Sequence, residues 1–98
     1  MNEQVIIKGG RVVIVFTDLE EAVSYRGDKI VLLHGDADLR YSQITDLGQL
    51  QSIGGFADFS DSQITDLGQL QSIGGYAFFN NSQITDWSNV EIKGRIYN

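Results

Sequence analysis

The chain has 98 residues, 42% of them apolar, no cysteine, and a formal net charge of −6. That is enough for one domain with one core, too apolar for disorder, and without an apolar run long enough to cross a bilayer. With no thiol there is neither a disulfide nor a thiolate metal site.

The opening Met1-Asn2-Glu3-Gln4 has no basic region of the leader-peptide kind, so a complete, cytoplasmic chain is expected. Val5-Ile6-Ile7 and Arg11 to Phe16 flank Gly9-Gly10, which predicts a hairpin. Thr17-Asp18-Leu19-Glu20 has the form of a capping box, opening a helix through Ala22 and Val23 that should stop at Arg26-Gly27. Lys29 to Leu33 leads into the repeats, so residues 1–33 are read as an N-terminal cap.

From there the chain repeats itself. Ser42 to Gly55 reads SQITDLGQLQSIGG; Ser62 to Gly75 reads the same, and SQITD opens once more at Ser82, a period of 20 residues. A degenerate copy lies upstream, where His34 to Leu39 lines up with Gly54 to Phe59. The repeats are thus three, at about 34–53, 54–73 and 74–98, the first opening on that degenerate segment. The apolar columns are Ile44/Ile64/Ile84, Leu47/Leu67/Trp87, Leu50/Leu70/Val90 and Leu39/Phe59/Phe79, with Ala37/Ala57/Ala77 as a small column. No repeat can bury these faces alone; stacked turns bury them against one another. Each repeat is read as one short strand (Tyr76 to Asn80 in the third), one corner, one compact turn and a return. The Gly74-Gly75 pair suits a corner with positive φ, and Thr65-Asp66-Leu67 suits the start of a one-turn helix. The hydroxyls of Ser42, Ser62 and Ser82 can satisfy buried turn amides. At the end, Ile92 to Tyr97 reads as a last irregular strand. There Lys93 and Arg95 either discourage edge pairing or border a homodimer contact through the C-terminal end of the solenoid.

The pattern L-x-x-L-x-x-I-G-G-x-A-x-F-x-x-S-x-I resembles leucine-rich repeats, in the style of receptor L domains and of short bacterial and phage proteins built from LGxLxxIGG units. The resemblance covers residues 34–98 and implies a mainly β fold. The expected architecture is a short right-handed β-solenoid of leucine-rich-repeat type with an N-terminal hairpin-plus-helix cap. It says little about function.

Function is read from what changes between near-identical copies. Between the second and third strands the changes are Phe56/Tyr76, Asp58/Phe78, Ser60/Asn80 and Asp61/Asn81; in the first strand the same positions hold Asp36, Asp38, Arg40 and Tyr41. Alternation turns these outward, onto one contiguous face. Exposed aromatics side by side mark interaction sites, although an aromatic ladder that only stabilises a sheet has the same residues. The candidate partner-binding set is therefore Asp36, Asp38, Arg40, Tyr41, Phe56, Asp58, Asp61, Tyr76 and Phe78.

Charge narrows the partner. No Lys or Arg occurs between Arg40 and Lys93, a stretch carrying Asp46, Asp58, Asp61, Asp66, Asp86 and Glu91. Such a body repels phosphate, so direct nucleic-acid or membrane binding is not expected and a protein with a basic surface is. Asp46, Asp66 and Asp86 form a second column that should raise each other's pKa; it reads as capping rather than as a calcium site, and no metal or other cofactor is expected. His34, the lone histidine, replaces a corner glycine and should be exposed. Asp38 and Asp58 one turn apart could do acid/base work, but no pocket or converging groups are evident, so the chain is read as a non-enzyme. The leading expectation is a protein-interaction module. The alternative is a small phage-type anti-defence inhibitor, an acidic decoy for nucleic acid in the basic channel of a host or defence nuclease.

Overall fold

A computed structural model describes residues 3–98; the reading of the chain's opening Met1-Asn2 falls outside them. The protein is mainly β, a β-solenoid of about 4 turns with parallel strands. The chain opens with β1 (Glu3–Lys8) and β2 (Arg11–Phe16), paired antiparallel with Lys8 opposite Arg11. Gly9 and Gly10 both have positive φ (60° and 77°), the two-residue turn whose twist matches that of the strands. Helix α1 (Leu19–Ser24) follows. Its N-cap is Asp18, whose carboxylate accepts the Glu21 amide at 3.1 Å, so the capping frame starts one residue later than the sequence suggests. The helix buries Ala22 and Val23 and ends before Arg26-Gly27.

Each turn then contributes two short strands where the sequence suggests one. The first set is β3 (Ile30–Leu33), β5 (Leu50–Ile53), β7 (Ser72–Ile73) and β9 (Glu91–Ile92); the second is β4 (Ala37–Asp38), β6 (Ala57–Asp58), β8 (Ala77–Phe78) and β10 (Ile96–Tyr97). They build a six-stranded sheet, β1-β2-β3-β5-β7-β9, and a four-stranded sheet, β10-β8-β6-β4. All pairs but β1–β2 are parallel, and β2 pairs directly with β3, so the hairpin extends the solenoid's own sheet. Gly27 and Gln49 exchange hydrogen bonds of 3.0 and 2.9 Å, which ties the loop after α1 to the first full turn.

In the two middle turns the corner between the sheets is glycine for a reason other than positive φ. The glycines with positive φ are Gly9, Gly10, Gly35, Gly48 and Gly68, not Gly54, Gly55, Gly74 or Gly75. A Cβ on Gly75 would lie 3.1 Å from the backbone of Gly55 and Phe56, and one on Gly74 would collide with the Gly54 carbonyl. At Gly74 and Gly75 the corner stacks backbone on backbone against Gly54 and Gly55, an approach that a Cβ would obstruct.

The third side of each turn carries no strand and no helix. At its start, Ser42, Ser62 and Ser82 hydroxyls accept the amides of Ile44, Ile64 and Ile84 at 2.9, 3.4 and 3.0 Å, as the sequence suggests. Asp46 and Asp66 accept the amides of Gly48 and Gly68 at 2.8 and 2.9 Å. These are Asx turns closed by glycines in the left-handed region, and they replace the expected one-turn helix.

The core is continuous. Leu39, Leu50, Ile53, Phe59, Ile64 and Ile73 are fully buried, with Ala37, Ala57 and Ala77 filling the narrow side. The Phe59 and Phe79 rings stack at 5.3 Å, and Trp87 stacks on Phe79 at 4.4 Å. Among the described residues no buried side-chain nitrogen or oxygen lacks a hydrogen-bond partner, the condition for a rigid scaffold.

Candidate functional site

The outward face of the four-stranded sheet has four rungs. Register places Ala37, Ala57, Ala77 and Ile96 side by side, and with them Asp38, Asp58, Phe78 and Tyr97. Asp36, Phe56, Tyr76 and Arg95 precede them, as the amide-to-carbonyl bonds Ala37→Phe56, Ala57→Tyr76 and Ala77→Arg95 require. Arg40, Ser60 and Asn80 follow by the same alternation. The face is thus acidic at its N-terminal end and aromatic at its C-terminal end.

In the aromatic half Phe78 packs flat against Tyr97, centroids 4.8 Å apart and planes within 8°, while Phe56 meets Phe78 edge-on at 6.3 Å and Tyr76 meets Tyr97 edge-on at 6.0 Å. Tyr76 and Tyr97 remain exposed, and Phe56 and Phe78 are half-buried by the rings beside them. Tyr97 was hidden from sequence reasoning by spacing. The last turn is one residue short, Ile73 pairing with Ile92 and Phe78 with Tyr97, so a strict 20-residue period puts Tyr97 beside the inward Ala77 instead.

In the acidic half Arg40 holds Asp38 in a two-pronged contact, Nε to Oδ1 at 3.0 Å and Nη2 to Oδ2 at 2.8 Å, and its Nε lies 3.4 Å from Asp58. The guanidinium's hydrogen bonds hold the Asp38 carboxyl below the usual carboxylate range, and those to Asp38 raise Arg40 above its own. Asp36 and Asp58 are also spoken for: their Oδ1 atoms accept the amides of Phe56 at 3.0 Å and Ser60 at 2.9 Å. Neighbouring carboxylates of one sign destabilise a stack, and Arg40 screens the Asp38–Asp58 rung. An ionised, clamped Asp38 is no proton donor near neutral pH.

Tyr41 and Asp61 leave this face. With Asn81 they form the next corner, all three in the left-handed region at φ 57°, 53° and 54°. Tyr41 is 82% exposed and its hydroxyl donates to the Asp61 carboxylate at 3.4 Å. Asp and Asn are at ease there; a bulky tyrosine is not.

The remaining candidates resolve locally. Asp86 accepts both the amide and the hydroxyl of Ser88, at 2.9 and 2.7 Å, and these bonds, the amide's first, hold its carboxyl below the usual range. At Asp86 the direction is thus opposite to the rise expected from a column of like charges, because the Ser88 hydrogen bonds favour the ionised carboxylate. His34 is exposed. An open groove of about 620 Å³ runs between α1 and the first turn, lined by Asp18, Leu19, Glu20, Asp38, Ser42 and Ile44. Among the described residues no group of three His, Cys, Asp or Glu side chains could hold a metal ion, and no helix is long and apolar enough to cross a membrane.

Compared with models of protein families, with curated proteins and with solved structures, the chain matches none.

Proposed function

We propose that the protein is a non-enzymatic interaction module, and that the outward face of the four-stranded sheet binds a partner protein with a basic surface. One observation carries this reading. Two turns share fourteen consecutive identical residues, 42–55 and 62–75, yet differ at the outward positions 56/76, 58/78 and 60/80 and at the corner position 61/81. The scaffold is copied and its surface is not, which is the pattern of a rigid element whose outer side chains select a partner.

The face suits that role. Phe56, Tyr76, Phe78 and Tyr97 form a pre-packed anchor that loses little freedom on binding, and Asp36, which Arg40 does not neutralise, lies beside it to orient a cationic partner. The column pattern supports kinship with leucine-rich-repeat solenoids, whose surfaces commonly serve as interaction scaffolds. The decoy reading has less support, because Arg40 draws Asp38 and Asp58 out of any array of free charges.

The test is a partner captured at low and at high salt, then titrated against a Phe56→Ser/Tyr76→Ser/Phe78→Ser variant. Aromatic anchoring predicts salt-resistant binding that the variant loses. Steep salt dependence with unchanged variant affinity would favour the decoy.

A further inference from the structure

We infer that two copies of this chain pair through the free edge of β1, antiparallel and about a two-fold axis at Ile6, joining their six-stranded sheets into one. The inference is independent of the binding-face proposal, since it concerns the other sheet.

The two edges of the six-stranded sheet are built differently. At one edge β9 is two residues long and is followed by Lys93 and Arg95, a short strand beside charges. At the other, β1 is six residues long, with no proline and a Val5-Ile6-Ile7 centre. A strand of that kind left unpaired is a template for another strand.

Its backbone is set for a partner. In a two-residue hairpin the closing pair, Lys8 and Arg11, exchanges both hydrogen bonds, and the exchange recurs at every second pair. Ile6 therefore turns its amide and carbonyl to Val13, while Val5 and Ile7 turn theirs to the open edge. The side chains match this: Ile7 is 77% exposed and Val5 53%, with Val12, opposite Ile7 in the hairpin, 43% exposed. These residues share the face of the sheet that carries Ile14 and Phe16 into the core, while α1 packs across β2 and β3.

The strand is complementary to itself. A two-fold axis perpendicular to the sheet preserves its faces, so paired residue numbers must sum to an even number. Centring the axis on Ile6 places Val5 opposite Ile7 of the second copy and Ile7 opposite its Val5. Both are pairs whose free amides and carbonyls face one another, and every cross-strand pair at the centre is apolar.

Charge selects the same end. The first 16 residues hold Lys8 and Arg11 against one Glu3, whereas the rest of the chain carries the acidic excess. Two molecules of net charge −6 repel least where their hairpins meet.

The absence of native cysteine makes the test clean. Full-length wild type is expected to sediment as a dimer, and Ile7→Lys as a monomer with unchanged circular dichroism and Trp87 emission. At the axis, Ile6→Cys faces its own copy across a pair without backbone bonds. Mild oxidation should crosslink it about tenfold or more faster than Gln63→Cys on the solenoid surface, because paired thiols react at high effective concentration. A monomer at every concentration overturns the inference. So does a dimer that survives Ile7→Lys, or one in which Ile6→Cys reacts no faster than Gln63→Cys, since the copies then join elsewhere. Should Ile7→Lys fail to fold, Val5→Lys and the cysteine rates still decide.

Discussion

At the scale of single residues, one position is costly and one pair is pH-sensitive. Tyr41 occupies a left-handed corner that Asp61 and Asn81 fill in later turns. A bulky side chain there costs about 1 kcal/mol, and its 3.4 Å contact to Asp61 in full solvent returns little. Tyr41→Asn is expected to raise the denaturation midpoint by the equivalent of roughly 0.5–1 kcal/mol, read by urea unfolding; a loss would show that Tyr41 supports its corner. For Asp38 the folded pKa lies below the ordinary 3.8. Its contribution to stability is therefore present above the unfolded value and lost as pH falls through the folded one. Both side chains of the pair are about half exposed (52% and 46%), so solvent screens the contribution and keeps it small. Carboxyl NMR should show Asp38 titrating low and Arg40→Gln returning it upward. Little of this was legible in the sequence. Corner strain and the Arg40 clamp depend on which residue lands at the bend after a two-residue strand, and alternation alone carried Tyr41 and Asp61 onto the strand face.

At the scale of elements, the turn is a triangle of two strands and one strandless side, and its small residues act by two distinct physical means. Gly68 has φ 56° and open space beyond, the nearest atom to an added Cβ being 3.8 Å away. Gly68→Ala should cost about 1 kcal/mol, as backbone strain alone, and Gly68→Asn less. Gly74 has an ordinary φ but its Cβ would meet the Gly54 carbonyl, so both Ala and Asn there should cost more than either change at Gly68. Thermal unfolding of the four variants separates the two causes; equal penalties would contradict the stacked-corner account. Ser62 is only 5% exposed and its hydroxyl takes the Ile64 amide. Ser62→Ala should cost about 1–2 kcal/mol, the cost of a buried unpaired donor. The 20-residue period made the stacking, the core columns and these serines readable in advance. The second strand per turn was not readable, because Ser72–Ile73 is too short to show a period of two.

At the scale of the whole molecule, stability passes from turn to turn through shared faces, as in any solenoid. The ring stack Phe59–Phe79–Trp87 runs along that path, with Trp87 covering Phe79 from the C-terminal side. Phe79→Ala should cost about 3–5 kcal/mol and shift the emission of Trp87, the single tryptophan, before the rest of the chain unfolds. On this scaffold the outer face is free to vary, and we propose that it is a binding surface rather than a ladder serving only the sheet. The direct measurement is the affinity of a captured partner for wild type and for the Phe56→Ser/Tyr76→Ser/Phe78→Ser variant, each first shown to be folded by circular dichroism. The variant is expected to bind about 100-fold or more weakly in Kd, the scale of clustered aromatic anchors. A folded variant that binds as tightly as wild type would mean that these rings hold the sheet together and nothing else.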